Sequence, residues 1–302
     1  MADRHADWIA ADWGVSHLRL WVMDAAGQML DYRRSDRGTG RLAPADYESA
    51  LLDLAGDVLP PDRATPVICC GAAGTRQGWA EVPRRAVPCP PGGIEGAIRP
   101  ATRDPRLDMR LLPGLRQLRP ADVTEGQETR IAGWLAAHPG FDGVLCLPGR
   151  QSRWAHLSAG EVVSFRSFIT GEMFALLSRQ SVLHPSVADA GLDPAAFTEA
   201  VAHAMSRPAA VAGDLFTIHA ESLMAGLDPV VARSRLSGLL IGIELAAARP
   251  YWLGQGVAII GTGEPAYAYA AALAAQGLTA RRGDGEEMTL NGLRAAYAEL
   301  TG

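Results

Sequence analysis

One order of secondary-structure signals runs through this 302-residue chain twice, and that order constrains the fold more than any single motif. Short apolar runs between turn residues read as strands, and apolar residues at 3.6-residue spacing read as helices. In the first half, Trp8–Ala11, Leu18–Met23 and Gln28–Tyr32 predict a three-strand meander. Tyr47–Val58, with Leu51, Leu52, Leu54 and Val58, predicts a helix, Val67–Cys70 a buried strand, Met109–Leu112 a further strand and Val123–Ala137 a second helix. The helix breaks at His138-Pro139-Gly140, and the order restarts. Gly143–Leu147, Trp154–Leu157 and Val162–Phe165 predict strands, and Gly171–Val182 a helix. Helices over Pro194–Met205, Leu215–Met224 and Pro229–Ala248 follow, then a strand over Val257–Ile260 and helices over Pro265–Ala275 and Thr289–Leu300. The β-β-β-α-β-α repeat is one of pattern, not of residues. It predicts two α/β domains, residues 1–138 and 139–302, with the last helix free to pack on the first domain.

Composition excludes several kinds of chemistry. All 28 basic residues are arginine. With no lysine there is no Schiff-base lysine, no lysine general base and no Walker-A lysine. Any phosphate is therefore handled by arginine, backbone N–H groups and metal. A net charge of −5 and the absence of a basic tract argue against a nucleic-acid partner. The four cysteines, Cys69, Cys70, Cys89 and Cys146, form no CxxC pair and read as buried thiols of a reducing compartment. A polar N-terminus and short apolar stretches predict no signal segment, no membrane span and a cytoplasmic location.

Six segments carry candidate chemistry. Asp12-Trp13-Gly14-Val15-Ser16-His17 lies between the first two strands, where a carboxylate beside a glycine turn suits a metal-phosphate site. An Asp-x-Gly turn is equally an ordinary hairpin, and His17 there reads as a hydrogen-bonding turn residue before a metal ligand. Pro148-Gly149-Arg150-Gln151 holds the matching place in the second half, so the two turns have the right positions to grip a polyphosphate. Gly261-Thr262-Gly263 follows an apolar strand and allows close approach of a nucleotide, though it is not GxGxxG. Thr124 has the spacing of an N-cap with Gln127, and Glu128 behind it is a candidate base. Gly71–Trp79 offers glycines, Gly74 and Thr75, the charge of Arg76 and the ring of Trp79, a surface on which a sugar can stack. Arg166, ahead of the Thr170-Gly171-Glu172 helix start, suits bidentate pairing with a substrate carboxylate.

Taken in order, Asp12-Trp13-Gly14 with Leu18-Arg19, Gly71–Trp79, Gly126–Thr129, Pro148-Gly149 with Trp154, Arg166 with Thr170-Gly171-Glu172, Ser237–Gly242 and Gly261-Thr262 resemble the 2-dehydro-3-deoxygalactonokinase family over nearly the whole chain. The resemblance implies two RNase H-like domains of the actin/hexokinase type with an interdomain cleft. It also implies ATP- and Mg²⁺-dependent phosphorylation of the terminal (6-) hydroxyl of 2-dehydro-3-deoxy-D-galactonate or a related sugar acid. On this reading the first domain is the sugar-acid and phosphate side, and the second is the nucleotide side. Asp12 organises Mg²⁺, while Gly14, Ser16, Gly149 and Arg150 meet phosphates. Gly261, Thr262 and Gly263 border the adenosine. Arg19, Gly74, Thr75, Arg76, Trp79, Arg166 and Glu172 face the sugar acid, and Glu128 is the base. Small molecules are the expected partners, and a homodimer is compatible with the sequence. The family's RGEET stands here as Glu125-Gly126-Gln127-Glu128-Thr129, and its PGTHxKW as Pro148-Gly149-Arg150-Gln151-Ser152-Arg153-Trp154. Those departures keep a second reading open: a diverged relative that binds a sugar acid or nucleotide with little phosphoryl transfer, marked by Arg150 folded onto Glu125.

Overall fold

The computed structural model describes residues 5–302. In chain order the strands and helices are β1 (Trp8–Trp13), β2 (Leu18–Met23), β3 (Met29–Ser35), α1 (Tyr47–Ala55), β4 (Thr65–Gly71), β5 (Arg85–Ala86), β6 (Leu107–Leu111), β7 (Leu115–Leu118), β8 (Ala121–Val123) and α2 (Gln127–Ala137). The second half contains β9 (Gly143–Leu147), β10 (Ser152–Ser158), β11 (Glu161–Phe168), α3 (Thr170–Gln180), α4 (Pro194–Ser206), α5 (Val211–Ala225), α6 (Pro229–Ala247), α7 (Arg249–Trp252), β12 (Val257–Ile260), α8 (Gly263–Ala274), β13 (Arg281–Gly283) and α9 (Gly285–Thr301). Two compact units result. The first runs through Phe141 and also takes in Ser158–Ser164 and Gly285–Gly302; the second comprises Asp142–Leu157 and Phe165–Asp284. Residues 139–302 are therefore not one continuous domain, because α9 and the β10–β11 connection belong with the first unit.

The first unit is built on a five-stranded sheet in the order β3-β2-β1-β4-β6. β1 runs antiparallel to β2 and parallel to β4, and β4 runs parallel to β6. Every residue of β1 is buried, so the sheet must be covered on both faces. The two-residue period of a strand sorts the side chains. Ile9, Ala11 and Trp13 join Val67, Cys69, Tyr47 and Leu51 in the core beneath α1. Trp8, Ala10, Ile68 and Cys70 point the other way and meet Leu293 and Ala296 of α9. Trp8 also stacks on Tyr297, centroids 4.2 Å apart. The second unit repeats the order as β11-β10-β9-β12-β13, with β9 antiparallel to β10 and parallel to β12. Its sheet packs Val144, Cys146, Trp154 and Ile259 against Phe197, Val201, Ile241 and Tyr269 of the helices. The duplicated sheet is that of two RNase H-like domains of the actin/hexokinase type.

Two sequence expectations are corrected here. The helix expected from Val123 starts only at Gln127, and its N-cap is Gly126, not Thr124. Gly126 is left-handed at φ +95°, and a Cβ there would come 2.9 Å from the Cα of Gly71. A side-chain cap from Thr124 is ruled out because the chain makes its turn two residues later. The second is the small sheet β5-β7-β8, which was not anticipated. Its strands have two to four residues and lack apolar alternation.

Candidate active site

The C-terminal end of β1 collects the first group of candidate residues. Asp12 is paired in register with Arg19 on β2 and with Cys70 on β4. It is 8% exposed, and its Oδ2 forms an ion pair with the Arg19 guanidinium. Arg19 also reaches Glu286 of α9 at 3.0 Å. Burial alone would lower the Arg19 pKa, but the two carboxylates outweigh it and the net shift is upward. Arg19, expected on the substrate, is instead committed to the two acids of its own unit.

The turn after Asp12 is shaped from behind. Thr39 donates its N–H to the Gly14 carbonyl and Gly40 to the Val15 carbonyl, both at 3.0 Å. Gly38 lies so close that a Cβ would come 2.3 Å from the Val15 oxygen. In a trans peptide the N–H points opposite to the C=O. The N–H groups of Val15 and Ser16 are therefore directed away from residues 39–40, as two adjacent donors in an exposed turn. His17 meets Asp36 at 3.4 Å.

Glu128 is 1% exposed. Its Oε1 accepts the Gly126 N–H at 2.7 Å, and its Oε2 accepts the Thr124 hydroxyl at 2.5 Å. Thr124 in turn accepts the Leu115 N–H. Gln127 accepts the Glu125 N–H. Gly71 touches both sides of this arrangement: its missing Cβ would fall 3.4 Å from Asp12 Oδ1, and its Cα faces Gly126. Asp12 and Glu128 are thus the two buried carboxylates flanking one glycine. Beyond Gly71, Gly74 packs under Val82 and the Thr75 hydroxyl donates to the Ala72 carbonyl, while Arg76 is exposed. Trp79 is not a free platform. It stacks on Tyr47, centroids 5.9 Å apart, and meets Trp13 edge-on at 6.0 Å.

The second unit carries the other group. Gly171 at the start of α3 presses on the β9–β10 turn, where an added Cβ would come 2.2 Å from the Gly149 oxygen. The Glu172 N–H donates to the Arg150 carbonyl at 2.8 Å. By the same peptide geometry, the Gln151 N–H points away from α3. Arg150 is 71% exposed and pairs with Glu172 at 3.1 Å, while Glu125 pairs with Arg84 in the first unit. Gly261 abuts Pro148, so Gly261-Thr262-Gly263 and the Pro148–Gln151 turn share one end of the second sheet. Arg166 is exposed on β11.

A cavity of about 260 Å³ opens beside this turn, lined among others by Gly149, Thr170, Arg233, Ser237, Glu264 and Tyr269. Arg233 was not singled out by the sequence. It is anchored by Glu264 at 2.8 Å and by the Gly191 carbonyl, and it lies over the Phe174 ring at 4.9 Å. A mostly apolar wall with a few fixed polar groups is the usual make-up of a small-molecule site.

The 2-keto-3-deoxy-galactonokinase family model matches residues 12–296, from the Asp12 turn to the middle of α9. The chain belongs to that family. Among its relatives, Probable 2-dehydro-3-deoxygalactonokinase DgoK1 of Rhizobium meliloti (strain 1021) is 38% identical over 95% of both chains. The 2-dehydro-3-deoxygalactonokinase of Escherichia coli (strain K12) is 30% identical over 82% of both. A crystal structure of a 2-dehydro-3-deoxygalactonokinase protein from Sinorhizobium meliloti superposes with a TM-score of 0.87 at 35% identity, covering 97% of this chain and 99% of that one. As a member of the 2-keto-3-deoxy-galactonokinase family, the chain is a sugar-acid kinase, a phosphotransferase. No helix among the described residues is long and apolar enough to cross a membrane.

Proposed function

We propose that this kinase transfers the γ-phosphoryl group of ATP to the terminal (6-) hydroxyl of 2-dehydro-3-deoxy-D-galactonate or a close sugar acid. The observation that carries the reading is the Gly14–His17 turn. Its carbonyls are tied back by Thr39 and Gly40, leaving the Val15 and Ser16 N–H groups side by side next to Asp12. Phosphoryl transfer depends on positioning and charge neutralisation, and this turn supplies donors that need no reorganisation.

Mg²⁺ takes one or two protein carboxylates and otherwise keeps water and phosphate oxygens. Asp12 fits that demand. Arg19 holds Oδ2, and Oδ1 lies over Gly71, where the missing Cβ leaves room. The bound metal would supply neutralisation of phosphate charge. In this reading the Val15 and Ser16 N–H groups meet phosphate oxygens, as do Gly149 and Arg150 in the second unit. The Gly14 N–H is held by the His17 carbonyl at 3.0 Å, so Gly14 shapes the turn and does not itself contact phosphate. Glu172 serves Arg150 and not the sugar. Gly261, Thr262 and Gly263, with Arg233 and Ser237 from the cavity, border the nucleoside. Arg76, exposed in the first unit, is proposed to receive the substrate carboxylate, with Gly74 and Thr75 shaping the approach. Trp79 is left out of that set because its ring is committed to Tyr47 and Trp13. Glu128 is proposed as the base; its Oε2 would exchange the Thr124 hydroxyl for that of the substrate. The proposed setting is the cytoplasm.

A coupled ADP-release assay with Mg²⁺-ATP tests the proposal, using 2-dehydro-3-deoxygalactonate, its gluconate epimer and a no-sugar control. Sugar-dependent release supports it. Release that no sugar acid stimulates overturns it.

A further inference from the structure

Three carboxylates are buried among the described residues, and the third, Glu244, has no part in the chemistry proposed above. It lies on α6 in the second unit and is 2% exposed. Four side chains from three other elements donate to it. Trp154 Nε1–H on β10 reaches Oε1 at 2.8 Å. Oε2 accepts the hydroxyls of Ser152 on β10 at 2.7 Å, Tyr269 on α8 at 2.6 Å and Thr170 at the start of α3.

The positions of these donors separate Glu244 from an ordinary core polar group. Thr170 and Tyr269 line the 260 Å³ cavity. Ser152 is the first residue after the Pro148–Gln151 turn. Thr170 precedes Gly171, whose Cα rests against the Gly149 carbonyl of the same turn. One carboxylate therefore joins the cavity wall to the turn beside it.

The arrangement also sets polarity. A hydroxyl has one proton to give. With that proton on Glu244, Thr170 and Tyr269 can meet a ligand only as acceptors. The indole N–H of Trp154 can only donate. A carboxamide of the same shape cannot satisfy all four donors. With its NH₂ at the Oε1 place it opposes the indole N–H, and at the Oε2 place it opposes three hydroxyl protons.

We propose that Glu244 is a positioning residue for the nucleotide. It holds the Thr170–Tyr269 wall and the Pro148–Gln151 turn in one register and fixes both wall hydroxyls as acceptors. The proposal rests on reading this cavity as the nucleotide site of the kinase. A purely structural Glu244 would affect melting and leave nucleotide affinity unchanged. A positioning Glu244 acts on the nucleotide and not on the sugar acid.

The experiment uses the full chain as wild type, Glu244→Gln and Tyr269→Phe. It reads the Kd for Mg²⁺-ATP by calorimetry, KM for ATP and for the sugar acid separately, and the melting temperature. Loss of charge-assisted hydrogen bonds on this scale predicts that Glu244→Gln weakens Mg²⁺-ATP binding by about tenfold or more. KM for ATP rises in step, and KM for the sugar acid stays within about twofold. Tyr269→Phe removes one donor and shifts the nucleotide Kd in the same direction by less. If Glu244→Gln does not fold, Tyr269→Phe decides by the same readout. Nucleotide affinities within about twofold of wild type, whatever happens to melting, overturn the positioning role alone. Wild-type protein that binds no Mg²⁺-ATP overturns the reading of the cavity, and the positioning role with it.

Discussion

Asp12 and Arg19 stand opposite each other on β1 and β2, and their side chains close an ion pair across the two strands. Glu286 of α9 completes the line from the other side of Arg19. The orientation of Asp12 is therefore fixed by a residue 267 positions away from Arg19 in the chain. Asp12→Asn keeps the shape and removes the charge that a phosphate-bound metal needs. We expect kcat to fall by about a hundredfold or more, with the fold intact by circular dichroism. Sugar-dependent ADP release at near wild-type rate would remove Asp12 from the chemistry.

Glu128 offers a sharper division between structure and catalysis. Both oxygens accept donors of the loop that starts α2. Glu128→Gln turns one acceptor into a donor against the Gly126 N–H or the Thr124 hydroxyl. A stability loss of about 1–3 kcal/mol follows from one unsatisfied buried group, read as a lower urea midpoint. If turnover per folded molecule survives that substitution, Glu128 shapes the helix start and is not the base.

Two glycines set how closely α2 and α9 approach. A Cβ on Gly133 would fall 1.8 Å from the Met288 carbonyl, and one on Gly292 would fall 1.9 Å from the Thr129 carbonyl. Backbone on each side cannot yield as a flexible side chain would. Gly133→Ala or Gly292→Ala should cost about 3 kcal/mol or more by overpacking. Gly213, on α5, has open space where its Cβ would be. Gly213→Ala should be neutral or stabilise by about 0.5–1 kcal/mol through helix propensity. Urea melts of the three variants check the contrast, and equal midpoints would contradict the packing.

The buried thiols make stability depend on alkaline pH. Burial pushes the Cys69, Cys70 and Cys146 thiols up, with Asp12 adding to the first two and Glu244 to the third. An exposed thiol in the unfolded chain loses its proton around pH 8.5. Above that pH the native state holds more protons than the unfolded state, so stability falls as pH rises. The contribution is fully present at pH 7. Urea midpoints should decline between pH 8 and 10, roughly the range set by the free-thiol pKa. A flat profile, or ready labelling of these thiols in native protein at pH 8, would contradict the burial.

The succession along the chain of β1–β4, β6 and β9–β12, and the Asp12 turn, are legible because each rests on local signals: apolar runs, a carboxylate at a strand end and a Gly turn. The cap of α2 was misread for an instructive reason. Thr124 and Gln127 obey the spacing of a capping box, but the close approach of Gly126 to Gly71 decides where the helix starts. Trp79 reads in the sequence as a sugar platform, and its packing on Tyr47 and Trp13, which commits the ring, has no local signature. Arg233 and Glu264 are 31 residues apart, and their pairing had no local signature. Glu244 did leave a trace, as a lone acid in the apolar run Leu239–Ala248, yet its four donors come from three distant segments.

The place of α9 has a consequence for how the protein is made. The sheet face bearing Trp8, Ala10 and Ile68 is covered by α9, which leaves the ribosome after the whole second unit. Domains ordinarily fold in the order of synthesis. Here Asp142–Asp284 has emerged almost in full before the first unit receives its cover. The nascent chain thus carries an apolar sheet face, with two tryptophans on it, until α9 emerges. That face is a natural hold for chaperones, and a nonsense change before Gly285 would leave it bare.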